Sequence, residues 1–303
     1  MTRILFASLL TFTICTPALC QTAVPPAGNI DDRVRQQVRP TTERDRQEAL
    51  MTGDTDIILL RRTKLFSVTG SLDVTHTSNA FLSPLDISSD DFAQGQIGIG
   101  IGTRIGGKVD VFASGSVVGV RYFNEKALDY SAALGAVGAR VSFGQLAVAA
   151  TYQPSVVFNR DFSKRQLTSH RFRLGAAMGL RVRGINIEPE VHGERSITRP
   201  TDFSAWSGGG SMTLSAPLSK TVPIFAYAQA GYDRRSFDDY FTAFVGTKRL
   251  DDNLSASVGV VWRPRSWGEV RASYSYGRNW STSDVNRYSA HSGTLGINAT
   301  ARF

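Results

Sequence analysis

Four histidines, His76, His170, His192 and His291, are the first residues to weigh for proton transfer or metal binding. They stand far apart, each in a different segment, and no spacing among them is that of zinc ligands. No G-x-S-x-G and no phosphate-cradling glycine loop occurs; Gly98, Gly100 and Gly102 alternate with larger residues, as they would inside a strand that makes room for side chains opposite. One tetrapeptide could do chemistry: in His76-Thr77-Ser78-Asn79 an imidazole and a hydroxyl two residues apart share one face of a strand, where a base could activate a nucleophile. As Thr-Ser-Asn the same stretch is also a plain turn signal.

A second set is charged. Arg171, Arg173, Arg181 and Arg183 repeat with an even spacing, and Asn186, Glu188, Glu190, His192 and Glu194 repeat the same way in the next segment. A two-residue turn at Gly184-Ile185 would set Arg183 against Asn186 and Arg181 against Glu188, with the small Gly179, Ala177 and Gly175 facing Glu190, His192 and Glu194. Arg104 against Asp110 and Arg263 against Glu269 repeat the arrangement at two other hairpins. Such arginines can act as an electropositive constriction selecting anionic solutes, or as cross-strand ion pairs that support a wall. Arg140, Arg183 and Arg302 have no evident carboxylate partner and are the stronger selectivity candidates. Neither a cofactor nor a metal is implied by any of these residues.

The elements that carry these side chains repeat with period two. Phe66, Val68, Gly70, Leu72 and Val74 alternate with Ser67, Thr69, Ser71, Asp73 and Thr75; Ala93, Gly95, Ile97, Ile99, Ile101 and Ile105 alternate with Gln94, Gln96, Gly98, Gly100, Gly102 and Arg104. Further strands are expected near 108–122, 127–143, 145–158, 166–183, 185–197, 203–217, 222–234, 252–263, 268–280 and 289–303, about twelve in all. The links alternate too. Gly106-Gly107, Gly144, Gly184, Ser219-Lys220 and Pro264 to Trp267 are short, whereas Thr77 to Asp91, Asn159 to Arg165 and Arg235 to Asp251 are longer and polar. Tyr240 to Thr247 also looks strand-like, but an even strand number assigns it to a loop.

The expected fold is therefore all-β: an antiparallel transmembrane barrel of about twelve strands, short turns in the periplasm, long loops outside. Composition agrees once the period is counted. The 303 residues are 42% hydrophobic with a mean hydropathy of −0.14, and beyond the first twenty residues no run approaches the roughly 18–20 apolar residues of a spanning helix. A soluble sandwich would bury two apolar faces; these strands have one, and their other face is rich in Gln, Ser, Gly and Arg. Girdle aromatics are expected at Tyr122 and Tyr130, Trp280 and Tyr288, and Trp262 and Trp267. The formal charge is +8, and only Lys64, Lys108, Lys126, Lys164, Lys220 and Lys248 among the 34 basic residues are lysine. An arginine surplus suits phosphate and carboxylate contacts, including lipopolysaccharide phosphates, and nothing points to nucleic acid.

Three segments are expected. Residues 1–20 read as a signal peptide, with Arg3, an apolar Ile4 to Ile14 and a cleavage site at Ala18-Leu19-Cys20; this removes both cysteines, Cys15 and Cys20. Lipidation of Cys20 is the rival, with Leu19 where a small residue is required. Residues 21–54, charged and interrupted by prolines, read as a periplasmic leader or plug, partly helical at Thr42 to Leu50 or disordered. Residues 55–303 form the barrel.

Several stretches resemble known families. The alternating Leu295, Ile297, Ala299, Ala301 and terminal Phe303 resemble the closing strand of Gram-negative outer-membrane barrels, which implies outer-membrane localisation and delivery by the barrel assembly machinery, with Phe303 as the signal. His76-Thr77-Ser78-Asn79 resembles the His-x-Ser-Asn of outer-membrane phospholipase A, a twelve-stranded barrel, with Ala80 replacing that family's glycine and no supporting Asn evident. Gly246 to Asp252, Trp267-Gly268, Ser273 to Tyr276, Arg278-Asn279, Ser281, Tyr288 and Phe303 look like the closing segment of surface lipoprotein assembly modifier barrels, whose tetratricopeptide domain residues 21–54 cannot supply. The expected role is a non-enzymatic small passive pore, or the outer-membrane port of an export system with a periplasmic partner, lined by Arg104, Arg140, Arg171, Arg173, Arg181, Arg183, Arg263, Arg302, Glu188 and Glu190. The alternatives are a phospholipase-like enzyme using His76 and Ser78, and a closed structural or adhesive barrel.

Overall fold

The computed structural model describes residues 66–303, apart from 86, 107–108, 220, 239–247 and 266. The expected signal peptide, the leader with its Thr42 to Leu50 helix, and the strand-like Tyr240 to Thr247 lie outside the described residues. The strands are β1 (Phe66–Thr77), β2 (Asp90–Ile105), β3 (Val109–Tyr122), β4 (Tyr130–Phe143), β5 (Leu146–Asn159), β6 (Arg165–Met178), β7 (Leu180–Val182), β8 (Ile185–Arg199), β9 (Ala205–Pro217), β10 (Ile224–Phe237), β11 (Leu250–Arg265), β12 (Gly268–Ser281) and β13 (Tyr288–Arg302). β6 and β7 keep one register against β8 across Gly179, so thirteen segments build twelve staves. Each stave pairs antiparallel with its chain neighbours, and β1 pairs with β13, closing the sheet. Closure leaves no unpaired edge, as a wall in lipid requires. Among the described residues no helix is long and apolar enough to cross a membrane.

Period two sorts the side chains. Leu72 and Val74 on β1, Ile97, Ile99 and Ile101 on β2, Leu174 on β6, Val258 on β11 and Leu295 and Ile297 on β13 all point out of the barrel and are exposed. In water that band would be a large uncovered apolar surface; in lipid it is the membrane-facing girdle. The tryptophans Trp206, Trp262, Trp267 and Trp280 are exposed on the same side. Tyr122 and Tyr130 are not girdle residues: pairing sets them opposite Phe92 and Val120, and they face inward, each 3% accessible. Tyr288 likewise faces Asn279 on the inner wall. Both sides of these loops are aromatic, and only the strand parity separates them.

The inside is not uniform. Under the long loops, Val118, Val120, Tyr122, Tyr130, Ala132, Val157 and Leu167 pack with Ala80 and Leu128 into an apolar cluster that Phe81 and Phe203 cover. Buried carboxylates and an amide pin the covering loops. Asp90 accepts from the Glu125 N–H at 2.7 Å, Asp129 from the Tyr122 N–H at 2.7 Å, and Asn79 donates to the Ser83 carbonyl at 2.9 Å while accepting from its N–H. A second, smaller apolar cluster of Phe225, Tyr227 and Val261 sits on the inner wall toward the short turns, and much of the wall between the two clusters is polar.

Candidate functional site

The lumen gathers the charged side chains, and register explains how. In the β6–β8 hairpin Val182 pairs with Ile185, so the turn is Arg183-Gly184, with φ of +50° and +86°. That is a two-residue turn of the primed kind, whose twist matches the strands and which needs positive φ at both central positions. The expected turn at Gly184-Ile185 is thus corrected by one position, and the pairing by two residues. Arg183 sits in the turn and not on the lumen wall. Arg181 pairs with Asn186, not Glu188; Ala177 faces Glu190, Gly175 faces His192, and Arg173 faces Glu194. A shift of two keeps every side chain on its face.

Ion pairs then form along the inner wall. Arg171 Nε lies 3.1 Å from Glu194 Oε1, and Arg173 Nη2 lies 2.6 Å from Glu190 Oε1. His192 Nε2 reaches across β9 to Asp233 Oδ1 at 2.6 Å, over Gly209, which faces both residues. Arg263 meets Glu269 at 3.4 Å and Arg104 meets Asp110 at 2.6 Å near the short turns. A further pair was not foreseen from the sequence: Arg271 Nη2 and Asp73 Oδ2 are 2.7 Å apart across the closing strand β13. Both residues pair in register with Gly296, and a Cβ on Gly296 would lie 1.8 Å from Asp73 Oδ1. A glycine in the final strand opposite an acid and an arginine was the available signal.

Four wall candidates remain apart from these pairs. Among the described residues Arg140, opposite Asp110, forms no hydrogen bond or ion pair, and neither do Arg181 and Glu188. The Arg302 backbone pairs with Ser67, and its side chain lies outside the described residues. Space persists between the walls: the inward Asp233 side chain is 40% accessible, and Ser114 is exposed on β3, six staves away and thus on the opposite wall.

The tetrapeptide lies elsewhere. His76 points outward, and its Nδ1 is 2.8 Å from Asp91 Oδ1. Ser78 follows the end of β1; its Oγ accepts from the His291 N–H at 2.9 Å, and no hydrogen bond joins it to His76 among the described residues. His170 and His291 also face outward, bonded to Tyr152 and Tyr274 hydroxyls at 2.7 and 2.6 Å. Among the described residues no cluster of His, Cys, Asp and Glu could hold a metal ion. The Phe303 ring lies 6.1 Å from the Phe66 ring, tilted by 39°, beside the closing seam, and the Phe303 N–H is bonded to the Phe66 carbonyl.

Neither a family model nor a curated protein matches the chain. Solved outer-membrane barrels match its fold. The COG4313 outer membrane channel from Pseudomonas putida F1 has a TM-score of 0.53 at 10% identity, covering 80% of this chain and 97% of that one. The translocator domain of the autotransporter NalP from Neisseria meningitidis gives 0.42 at 16% identity, covering 85% and 95%. LpxR from Salmonella typhimurium gives 0.43 at 8% identity, covering 75% and 99%. With the apolar outer band, the closed ladder and the polar interior, the chain is a twelve-strand antiparallel barrel that crosses the outer membrane many times.

Proposed function

We propose that the barrel is a narrow passive pore for small hydrophilic solutes. The observation that carries this reading is the inner wall, where most charges stand in pairs while Asp233 and Ser114, on opposite staves, stay accessible. A structural barrel could fill its inside with apolar side chains, as the upper cluster here does on one side and Phe225, Tyr227 and Val261 do toward the short turns; between them the lumen carries charged and hydroxyl groups that water can hydrate. Pairing keeps the field in the passage small, so ion preference is weak and comes from the balance of the unpaired Arg140 and Arg181 against Glu188 near the short turns, which favours anions. The loops pinned by Asn79, Asp90 and Asp129 narrow the outer mouth and hold conductance below that of a wide porin.

Pore and enzyme make different demands on the same chain. A hydrolase needs the Ser78 hydroxyl to reach the His76 imidazole, and among the described residues no hydrogen bond joins the two, although Asp91 orients His76 as an acid orients a catalytic base. The test is recording from the refolded full chain in planar bilayers. Discrete steps of small conductance support the pore; silent membranes at confirmed insertion overturn it. Phospholipid hydrolysis lost in Ser78→Ala would establish the enzyme instead.

A further inference from the structure

The outer surface carries a feature that a pore does not use. Across β9 to β12 the lipid face dips into a groove of about 430 Å³ floored by Ala228, Ala230 and Ala256, with Met212 on one flank and Tyr276 on the other. At the long-loop end of this groove the outward positions change from apolar to cationic. Arg234 on β10 is largely exposed, with its Nε 3.9 Å from Asp252 Oδ1, and that carboxylate also accepts from the Tyr232 hydroxyl. Arg278 on β12 lies with its guanidinium 4.7 Å from the centre of the Trp280 ring and has no carboxylate partner among the described residues. A stacked guanidinium keeps its N–H edge free for an oxyanion.

An acyl chain meets much the same environment in the groove as in the bilayer, so the groove seats a chain against the wall by shape without choosing between lipids. The headgroup decides. Register places Arg234 opposite Asp252 and Asp252 opposite Trp280, with Arg278 two residues further along β12. Two strand spacings across and two residues along put the arginine Cα atoms about 12 Å apart. Two arginines whose Cα atoms stand at that separation, with side chains long enough to adjust to it, at the outer boundary of the membrane and above an acyl-sized groove, suit a lipid that bears two phosphates on an extended headgroup.

We infer that this face binds lipid A, with its phosphates on Arg234 and Arg278 and one acyl chain over Ala228, Ala230 and Ala256. The site is independent of the pore, since every residue in it points away from the lumen.

The test uses the refolded full chain in detergent, titrated with bisphosphorylated lipid A, monophosphorylated lipid A or phosphatidylglycerol, with bound lipid counted by native mass spectrometry. Bisphosphorylated lipid A should bind tightest, and Arg234→Gln with Arg278→Gln should weaken it about tenfold or more, as expected for losing charge-assisted phosphate contacts. Arg→Lys at both positions should restore part of the affinity. Ala230→Trp, which fills the groove and leaves both arginines in place, should also lower occupancy; it serves as the second variant if the double glutamine change fails to fold. Undiminished binding in a folded variant of either kind, or phosphatidylglycerol binding as tightly as lipid A, overturns the assignment.

Discussion

Asp73→Ala tests whether the closing seam is held by its buried ion pair. Asp73 and Arg271 sit on β1 and β12, are 6% and 8% accessible, and meet at 2.7 Å over Gly296 of β13, so one pair spans three adjacent staves at the point where the barrel closes. Removing one partner leaves a charge desolvated without its counter-ion, which costs about 3–5 kcal/mol. Removing both takes that charge away, so Asp73→Ala with Arg271→Ala should cost at least about 1 kcal/mol less than the sum of the single changes. Urea unfolding of the barrel in short-chain lipid vesicles measures this through tryptophan fluorescence, because Trp206, Trp262, Trp267 and Trp280 all report from the lipid face. Gly296→Val should behave like Asp73→Ala, since a side chain there displaces the carboxylate. A single variant that unfolds at the wild-type urea concentration, or strictly additive losses, would refute the role given to the pair.

Other changes probe other parts of the wall. Ile97→Arg places a charge in the girdle and should cost about 2–4 kcal/mol in the same unfolding assay, whereas Gln96→Arg, on the lumen side, should cost far less. Gly184→Ala forces a methyl group onto a residue at φ +86° and should destabilise by about 1–3 kcal/mol, while Arg183→Asn suits its φ of +50° and should be neutral or slightly stabilising by the same measurement. Arg140→Glu should move the reversal potential under a salt gradient toward cations; an unchanged potential would leave Arg140 with a structural role only.

The fold was legible because alternation is local. Phe66 to Val74 against Ser67 to Thr75 states in ten residues which side is wet, and the even count with short and long links supplies closure. Pairing partners were less legible. Arg104 with Asp110 and Arg263 with Glu269 lie across single turns and meet in the structure, but the hairpin after Arg181 turns at Arg183-Gly184 with positive φ at an arginine, a residue that rarely adopts it, so composition does not announce the turn. Asp73 with Arg271 and His192 with Asp233 each cross an intervening strand, so no pattern along one hairpin reveals them. Tyr122, Tyr130 and Tyr288 look like girdle residues by type and position along the strand; parity turns them inward, where the covering loops bury Tyr122 and Tyr130. Nothing within a single segment shows that loops fold back over its end.

The most direct test of a water-filled passage is chemical block at its wall. In a chain lacking residues 1–20, and with them Cys15 and Cys20, Ser114→Cys places the one thiol on the inner face opposite Asp233. Single-channel recording before and after a charged, membrane-impermeant thiol reagent should show current that falls in steps as each barrel is modified, with no change in the cysteine-free chain. Current that persists after complete modification, confirmed by mass, would contradict conduction through this lumen.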